Sequence, residues 1–230
     1  MISNSLQSFL HLFFPHNCEG CGAGLFDEKR FLCPRCTHQL PETGFFSRRG
    51  NPVEKLFYGR MPLTHAGAAF YFTKNSLLQH LMIQLKYKNN PESGYFLGRM
   101  IGAQLAKEPA FSAIDLLVPL PLNRKKEFKR GYNQAALICD GIHAVWQIPI
   151  ARDAVERIRF TETQTKQNRI SRWQNMEGVF HATKPQLLHN KHILLVDDVV
   201  TTGATLEACG SAILELGNTR LSIAAVAYTV

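Results

Sequence analysis

Two adjacent acids, Asp197 and Asp198, interrupt a strongly apolar stretch and precede a turn rich in threonine and glycine, within HILLVDDVVTTGATL. In open α/β sheets, ligands bind beyond the carboxyl ends of strands, where loops lead into helices. Two neighbouring carboxylates there can accept hydrogen bonds from both hydroxyls of a vicinal diol. The turn offers hydroxyl groups and backbone N–H groups at a helix N-terminus, which suit a phosphate dianion, and Gly203 lets the backbone come close. The stretch therefore predicts a site for a ribose 5-phosphate.

Two further kinds of nucleotide site fit the acid pair less well than a ribose 5-phosphate site does. A nucleotide-binding strand that ends in acids needs a G-x-x-x-x-G-K-[ST] loop, and a dinucleotide site needs G-x-G-x-x-G. Neither motif occurs in the chain. If Asp198 only capped a helix, the second acid and the threonines of the turn would have no role.

The segment LLVDDVVTTGAT resembles the phosphoribosyl pyrophosphate (PRPP) motif of the type I phosphoribosyltransferases. The resemblance implies that Asp197 and Asp198 are the catalytic acids and contact the two hydroxyls of ribose. It also implies that the threonine turn wraps the 5-phosphate. The PRPP-binding residues implied in this segment are Val199, Val200, Thr201, Thr202, Gly203, Ala204 and Thr205.

A strongly basic segment follows the Pro-rich end of an earlier apolar stretch, VPLPL. Five of the seven residues from Arg124 to Arg130 are Lys or Arg. Such a segment can place donors around a pyrophosphate leaving group, which gains negative charge as its bond to ribose breaks. It can equally neutralise the phosphates of a nucleic acid or form a solvated charged loop. The run of charges by itself leaves these three alternatives open.

The order of several segments carries a second resemblance. The chain resembles the ComF family of phosphoribosyltransferase-like proteins in the order of four segments, which are VPLPL, RKKEFKRGYNQAA, RFTETQTKQNRISRWQNMEGVF and the acid-pair segment. The segment LKYKNN, with Lys86 and Tyr87, is similar to that family's Leu-Lys-Tyr stretch. The resemblance implies that the Pro-rich turn and basic segment lie near the pyrophosphate end of the site, and that the third segment is a mobile loop. The implied PRPP-binding residues are Pro119, Leu120, Arg124, Lys125 and Arg130, with Gly131, Asn133 and Gln134 matching the same pattern and Thr163, Gln164, Arg169 and Arg172 matching the loop.

Four cysteines near the N-terminus form two Cys-x-x-Cys pairs with eleven residues between the pairs. They are Cys18, Cys21, Cys33 and Cys36. This spacing predicts a tetrahedral structural zinc site, in which four thiolates leave no open position for catalysis. The ComF resemblance implies an N-terminal four-cysteine element of the same kind. We interpret His16 as a neighbour of the site rather than a ligand, and Cys139 and Cys209 as small core residues on helices.

Short apolar strands alternate with helical segments over most of the chain. AIDLLVPL and HILLVDD are typical of buried strands, whereas NSLLQHLMIQLKYK and TLEACGSAILELG are typical of helices. This alternation predicts a parallel α/β sheet covered by helices on both faces. The resemblances imply a type I phosphoribosyltransferase-like α/β fold with the zinc element at its N-terminus. We expect a helix and the zinc element over residues 1–60 and the phosphoribosyltransferase-like domain over residues 61–230.

The composition is that of a globular protein with a sizeable core, because 45% of the 230 residues are hydrophobic and 19% are charged. A net charge of +8 favours an anionic partner, such as a phosphorylated small molecule, a nucleic acid or an anionic membrane surface. No apolar run is long enough for a membrane span. The apolar stripe over residues 6–14 predicts a short helix packed on the protein rather than a signal peptide, so we expect a cytoplasmic protein.

The implied site suits displacement of pyrophosphate from PRPP by a nitrogen nucleophile, with one magnesium ion bridging pyrophosphate and ribose hydroxyls. Two hypotheses for the function follow. The ComF resemblance implies handling of single-stranded DNA during natural transformation, with PRPP as ligand or cosubstrate and a competence helicase or transport protein as partner. Basic residues interleaved with aromatic ones suit single strands, and the aromatic residues are Phe128, Tyr132, Phe160 and Trp173. The alternative is a salvage phosphoribosyltransferase that joins a nucleobase to ribose 5-phosphate and releases pyrophosphate.

Overall fold

The computed structural model describes residues 16–25, 27, 30–158 and 178–229, which fold around a parallel sheet flanked by helices. The strands are β1 (His65–Phe72), β2 (Leu116–Pro119), β3 (Val155–Arg157), β4 (Phe180–Ala182), β5 (His192–Val200) and β6 (Arg220–Thr229). The helices are α1 (Pro34–His38), α2 (Pro52–Lys55), α3 (Leu77–Tyr87), α4 (Pro91–Leu105), α5 (Arg124–Arg130), α6 (Gln134–Trp146), α7 (Pro185–Leu188) and α8 (Ala204–Leu214).

The main sheet has the strand order β1-β6-β5-β2, and all its neighbouring strands are parallel. Ala225 of β6 lies opposite Ala68 on one side and Asp197 on the other. Pro119, at the end of β2, lies opposite Val196 of β5. The carboxyl ends of β2 and β5 therefore meet at one edge of the sheet. The predicted parallel sheet between helices is confirmed.

Both faces of the sheet are buried, as the apolar strands predict. Leu194 and Val196 of β5 belong to a hydrophobic cluster that includes side chains of α3, α4 and α6. Ile193 and Leu195 belong to a second cluster that includes side chains of α8. Cysteines on the two layers are fully buried, which confirms that Cys139 and Cys209 are core residues.

Helices α4 and α6 cross with their backbones in contact. A Cβ atom added at Gly98 would lie 2.1 Å from the carbonyl oxygen of Ile138, and one at Gly141 would lie 2.1 Å from that of Tyr95. Neither position can accept a side chain unless a helix moves, because packed interiors leave no such space. Since α6 starts soon after the basic segment, this crossing fixes where that segment rejoins the core.

Side chains from the first 60 residues pack into both hydrophobic clusters. Phe31 and Leu32 contribute to the cluster under α3 and α4, and Phe45, Val53 and Phe57 contribute to the other. These contacts tie the four-cysteine segment to the same core as the sheet. The division of the chain at residue 60 stays a prediction.

Three local features differ from the sequence-based prediction. Strand β5 continues through both acids to Val200 instead of ending at them. The basic segment forms helix α5, which Asn123 caps and which ends at Gly131 with a φ of 80°. Because α5 has no buried residue, it has no apolar periodicity that would predict it. The antiparallel pair β3–β4 has three residues per strand, too few to show an alternating pattern.

Some predicted features lie outside the described residues. These are the helix over residues 6–14, the loop residues Thr163, Gln164, Arg169 and Arg172, and the aromatic residues Phe160 and Trp173. Among the residues that the structure does describe, every helix is too short or too polar to cross a membrane.

Candidate functional site

The acid pair lies in a cavity of about 190 Å³ at the carboxyl edge of the sheet. The chain after β2 runs beside β5 there, because the Leu120 N–H donates to the Val196 carbonyl oxygen at 2.8 Å. The cavity is lined by Lys86, Leu120, Pro121, Leu122, Lys126, Arg130, Asn133, Gln134, Ala135, Arg157, Asp197, Asp198 and Thr205. The fold thus brings both acids, the last threonine of the turn and four cationic side chains together.

The two acids leave β5 in opposite directions, as successive strand residues do. The Oδ2 atom of Asp198 lies 2.9 Å from Nζ of Lys86, the next-to-last residue of α3. Asp197 lies on the side of α8, where burial and then the charge of Asp197 raise the pKa of the Cys209 thiol. The Asp198 N–H also donates to Asp197 Oδ1 at 2.7 Å. Both residues still line the same cavity.

The pKa of the Asp197 carboxyl is raised to about 8, chiefly by burial and then by the negative charge of Asp198. The Asp198 N–H and the Lys86 ammonium group act in the opposite direction. The physical cause is that a carboxylate loses hydration in this position and is repelled by its neighbour. Near neutral pH the ligand-free acid pair therefore keeps a proton.

The threonine turn joins β5 to α8 at the mouth of the cavity. Thr201 and Thr202 are exposed, and α8 begins at Ala204. Gly203 has a φ of 74°, in the left-handed region that favours glycine, and a Cβ atom there would lie 2.8 Å from Cε1 of Phe57. Gly203 supplies no side-chain cap to α8, and the Ala204 N–H donates over a long distance of 3.4 Å to Thr202 Oγ1. A helix N-terminus of this kind can accept an anion.

The apolar residues that the sequence assigns to PRPP binding shape the backbone around the cavity. Leu120 lines the cavity itself, whereas Pro119 is buried where β2 ends. Val200 is buried in the cluster beside α8, and Val199 packs against the other cluster. The side chains of Pro119, Val199 and Val200 are therefore packed into the core rather than into the cavity.

Helix α5 contributes Lys126 and Arg130 to the cavity. The Arg130 Nη1 group donates to Gln134 Oε1 at 2.6 Å, and the guanidinium carbon lies 5.7 Å from the centre of the Tyr87 ring. These two contacts hold the charge of Arg130 towards the acids. Asn133 helps to close the same wall, because its Nδ2 donates to the Leu120 carbonyl oxygen at 3.0 Å.

The other two basic residues assigned to PRPP binding lie away from the acids. Arg124 is 3.4 Å from Glu156 and lines a neighbouring cavity of about 420 Å³. Lys125 is exposed, and the described cavities next to the acid pair do not include it. The structure therefore brings Arg130 to the acid pair but not Arg124 or Lys125.

Two cations of the cavity were not assigned to the site from the sequence. Arg157 of β3 lines both cavities, and its guanidinium carbon lies 5.5 Å from the centre of the Phe180 ring. Arg157 stands in a short segment without any motif, so its place at the site depends on the fold. Lys126 belongs to the basic segment, but its basic neighbours contribute to the same charge pattern. The sequence therefore does not single out Lys126 as a residue of the site.

The four-cysteine cluster is compact. The Sγ atoms of Cys18, Cys21, Cys33 and Cys36 all lie within 4.8 Å of one another. The Cys33 N–H donates to Cys18 Sγ at 3.2 Å, and a Cβ atom at Gly20 would lie 2.9 Å from Cys36 Sγ. Burial and then the neighbouring thiols raise the pKa of Cys36 to about 12. Four sulfur atoms at this spacing, with N–H donors beside them, fit a structural zinc ion, which would relieve that repulsion.

The placement of His16 agrees with its interpretation as a neighbour. Its Nε2 atom lies 2.8 Å from the carbonyl oxygen of Arg30. Within the described residues, the group that could hold a metal ion consists of the four cysteines without this histidine.

We expect Asp197→Asn to raise the melting temperature near pH 8. The pKa of Asp197 in the folded state, about 8, is higher than its pKa in the unfolded state. The stability that this protonated carboxyl contributes is therefore fully present below the unfolded pKa, and it is lost as the pH rises through the folded pKa. Asparagine avoids this loss, so the variant should exceed the wild type by roughly 1 kcal/mol or more near pH 8. The excess should shrink as the pH falls towards about 4, where the carboxyl is protonated in both states.

The matched control is Asp153→Asn, because that side chain is 84% exposed. Its melting temperature should stay within about a degree of the wild type at each pH, as surface substitutions usually do. An Asp197→Asn variant that melts below the wild type near pH 8 would contradict the raised pKa.

The chain is similar to several known proteins. Residues 135–229 match the phosphoribosyl transferase domain family. Competence protein F of Haemophilus influenzae is 26% identical over 220 residues, which cover 89% of this chain and 93% of that protein. The DNA utilization protein YhgH of Escherichia coli is 28% identical, with 87% of this chain and 85% of that protein covered.

A third relative matches a shorter part of the chain at higher identity. Competence protein ComFC of Bacillus subtilis is 34% identical over 102 residues, which cover 44% of this chain and 39% of that protein. The matched domain, the relatives and the N-terminal cysteine cluster lead to one assignment. The matched domain and these relatives support an assignment to the ComF family within the type I phosphoribosyltransferase superfamily.

Proposed function

We propose that the cavity binds PRPP with magnesium, and that the protein uses this ligand in handling single-stranded DNA during natural transformation. The observation that carries the proposal is the content of one cavity. It joins the acid pair, the threonine turn through Thr205, and four cationic side chains. Hydroxyl groups, a phosphate and a pyrophosphate are the ligand groups that these three sets of residues would bind.

We assign each part of PRPP to one set of residues in or beside the cavity. The 5-phosphate would accept hydrogen bonds from the threonine turn and the first turn of α8. The ribose hydroxyls would donate to Asp197 and Asp198. The pyrophosphate would lie towards Lys126 and Arg130, whose charges stabilise the negative charge that develops as the bond to ribose breaks.

Magnesium fits the same arrangement through the chemistry of its ligands. It prefers oxygen ligands and commonly binds substrate phosphates together with water. Bound together with PRPP, it would neutralise part of the phosphate charge. The side chains of the chain would then orient the ribose, while Lys126 and Arg130 hold the leaving group.

A role with single-stranded DNA is supported by the helix beside the cavity. Phe128 is 91% exposed and lies on α5, where five of seven residues are basic. An exposed ring on a basic helix suits base stacking next to a phosphate backbone. Tyr132 has a different place, because its hydroxyl donates to the Leu85 carbonyl oxygen at 2.8 Å and the ring packs on the core. Two relatives bear names that refer to competence and DNA utilization.

The four-cysteine cluster would hold one structural zinc ion. Its four sulfurs would complete a tetrahedral site without an open position, so the ion would stabilise the fold and take no part in the chemistry. Gly20, whose added Cβ would meet Cys36 Sγ at 2.9 Å and Leu77 at 2.9 Å, links this site to the start of α3. Loss of the metal should therefore also loosen that contact.

We expect Cys36→Ala to remove the zinc ion and lower the melting temperature. A structural zinc site contributes to folding free energy, so removing one of its four ligands should cost several kcal/mol, on the order of 3 or more. Metal content by plasma mass spectrometry and thermal melting measure the two effects. Cys139→Ala is the control, since that buried thiol lies outside the cluster and should leave the metal content unchanged. A full zinc content in Cys36→Ala would refute this assignment.

Asp197→Asn/Asp198→Asn should weaken binding of magnesium–PRPP by at least about tenfold, because hydrogen bonds to charged groups contribute roughly 1.5–3 kcal/mol each. Isothermal titration calorimetry measures the affinity. Asp140→Asn/Asp153→Asn is the matched control, because it removes two negative charges from surface ion pairs with Arg152 and Lys184. Equal affinity of wild type and the acid-pair variant would defeat the proposed ribose site.

Single-stranded DNA should bind in a salt-dependent manner, with affinity falling as salt rises from about 50 to about 200 mM. Phe128→Ala should weaken binding about tenfold, since stacking on an aromatic side chain contributes roughly 1–3 kcal/mol per base. Tyr58→Ala is the control, because Tyr58 is 62% exposed but lies outside α5. Fluorescence anisotropy of a labelled oligonucleotide gives both quantities.

Affinity for DNA that stays flat with salt would remove the electrostatic part of this proposal. Release of pyrophosphate from PRPP with one nucleobase, in the absence of DNA, would support the salvage phosphoribosyltransferase instead. A panel of purine and pyrimidine bases separates these two results.

A further inference from the structure

Arg60 connects the N-terminal part of the chain to the threonine turn. Its Nη1 donates to the carbonyl oxygens of Leu56 at 2.8 Å and Thr202 at 3.0 Å. Its Nη2 forms an ion pair with Oε2 of Glu207. The Arg60 and Glu207 side chains are 28% and 20% exposed, so solvent screens this pair incompletely. One guanidinium group thus holds both the turn and the helix that follows it.

Glu207 creates an electrostatic problem at this end of α8. It lies in the first turn of the helix, where a negative charge interacts favourably with the helix dipole. The same turn is where a phosphate dianion would bind, and two negative groups at one helix end repel each other. A cation that pairs with Glu207 removes most of this repulsion.

The orientation of Arg60 is specific to these partners. Its Nε is buried and has no hydrogen-bond partner among the described residues. An unpaired buried N–H is unfavourable, and the contacts of the two terminal nitrogens offset that cost. The guanidinium is therefore set by the Thr202 carbonyl and the Glu207 carboxylate.

We propose that Arg60 is a positioning residue for the phosphate-binding turn, where it contacts the Thr202 carbonyl and neutralises Glu207, and that this neutralisation is what allows the turn to accept a phosphate dianion. This inference rests on the proposed ribose 5-phosphate site. Arg60 acts through the turn and does not touch the ligand. If Arg60 were only a structural cross-link, phosphate binding would require the Arg60–Glu207 ion pair itself. If Arg60 acts by neutralising charge, phosphate binding requires only that residue 207 is either uncharged or paired with a cation.

A double-mutant cycle with ribose 5-phosphate as the probe separates these roles, with affinity measured by calorimetry on the full chain. Arg60→Met should weaken binding about tenfold, because it leaves the Glu207 charge beside the phosphate. Glu207→Gln should bind about as tightly as the wild type or up to about threefold more tightly. Arg60→Met/Glu207→Gln should return to within about threefold of the wild type, and Arg60→Lys should recover part of the affinity.

The outcomes distinguish this inference from the proposed function. If the wild type does not bind ribose 5-phosphate, the proposed site fails and the role of Arg60 fails with it. If the wild type binds and Arg60→Met binds equally well, the role of Arg60 alone is wrong. If the double variant binds ribose 5-phosphate as weakly as Arg60→Met does, Arg60 acts as a structural cross-link, and the proposed neutralisation of Glu207 is wrong. Arg99→Met, an exposed position on α4, controls for loss of one positive charge and should not change the affinity.

Thermal melting of each variant covers the case in which Arg60→Met fails to fold. The Glu207→Gln variant then decides the matter, because it removes the same repulsion without removing the arginine. Binding by Glu207→Gln that is clearly weaker than that of the wild type would contradict the inference.

Discussion

Two carboxyl groups on consecutive residues of a buried strand repel each other, and the structure around the site offsets this repulsion in two ways. Asp198 has an ammonium partner, Lys86, at 2.9 Å. Burial and the charge of Asp198 raise the pKa of Asp197 to about 8, so it keeps a proton near neutral pH. The pair is therefore held in a state with little net charge.

The same constraint connects the acid pair to distant parts of the chain. Helix α3 ends next to Asp198 through Lys86 and starts next to the cysteine cluster through Leu77, which meets Gly20. Its inward residues Leu78, Leu81 and Leu85 are fully buried, so the helix is held along its length. The cysteine cluster is thus one support of the lysine that faces the acids, and the N-terminal segment is part of the site's framework.

The sequence predicts the parts of the structure that depend on local patterns. The parallel sheet follows from apolar strands, and the cysteine cluster follows from two Cys-x-x-Cys pairs at a suitable distance. The acid pair and its threonine turn follow from residue types that have few other uses at a strand end. In each case the information lies within a short stretch of chain.

The sequence does not predict the contacts that depend on tertiary packing. Arg60 reaches Thr202 across a separation of 142 residues, and no local pattern connects them. Arg157 enters the site because β3 lies beside the cavity, although its own segment has no motif. Arg124 illustrates the converse: its place in a basic run resembles that of Arg130, but the geometry of α5 directs it to Glu156. Neighbouring side chains on a helix point in different directions. Which of them faces the cavity is known only once the position of the helix in the fold is known.

The strand order also has a consequence for synthesis of the protein. Strand β6 is the last in chain order, yet it lies between β1 and β5 and pairs with both. While the ribosome is still producing residues 73–219, β1 has no neighbour in the main sheet and presents an unpaired apolar edge. The nascent chain can close its cysteine cluster early, but the sheet must wait for the final strand. Completion of the main sheet is therefore a late event, and a chaperone that covers β1 during translation would protect the chain from aggregation.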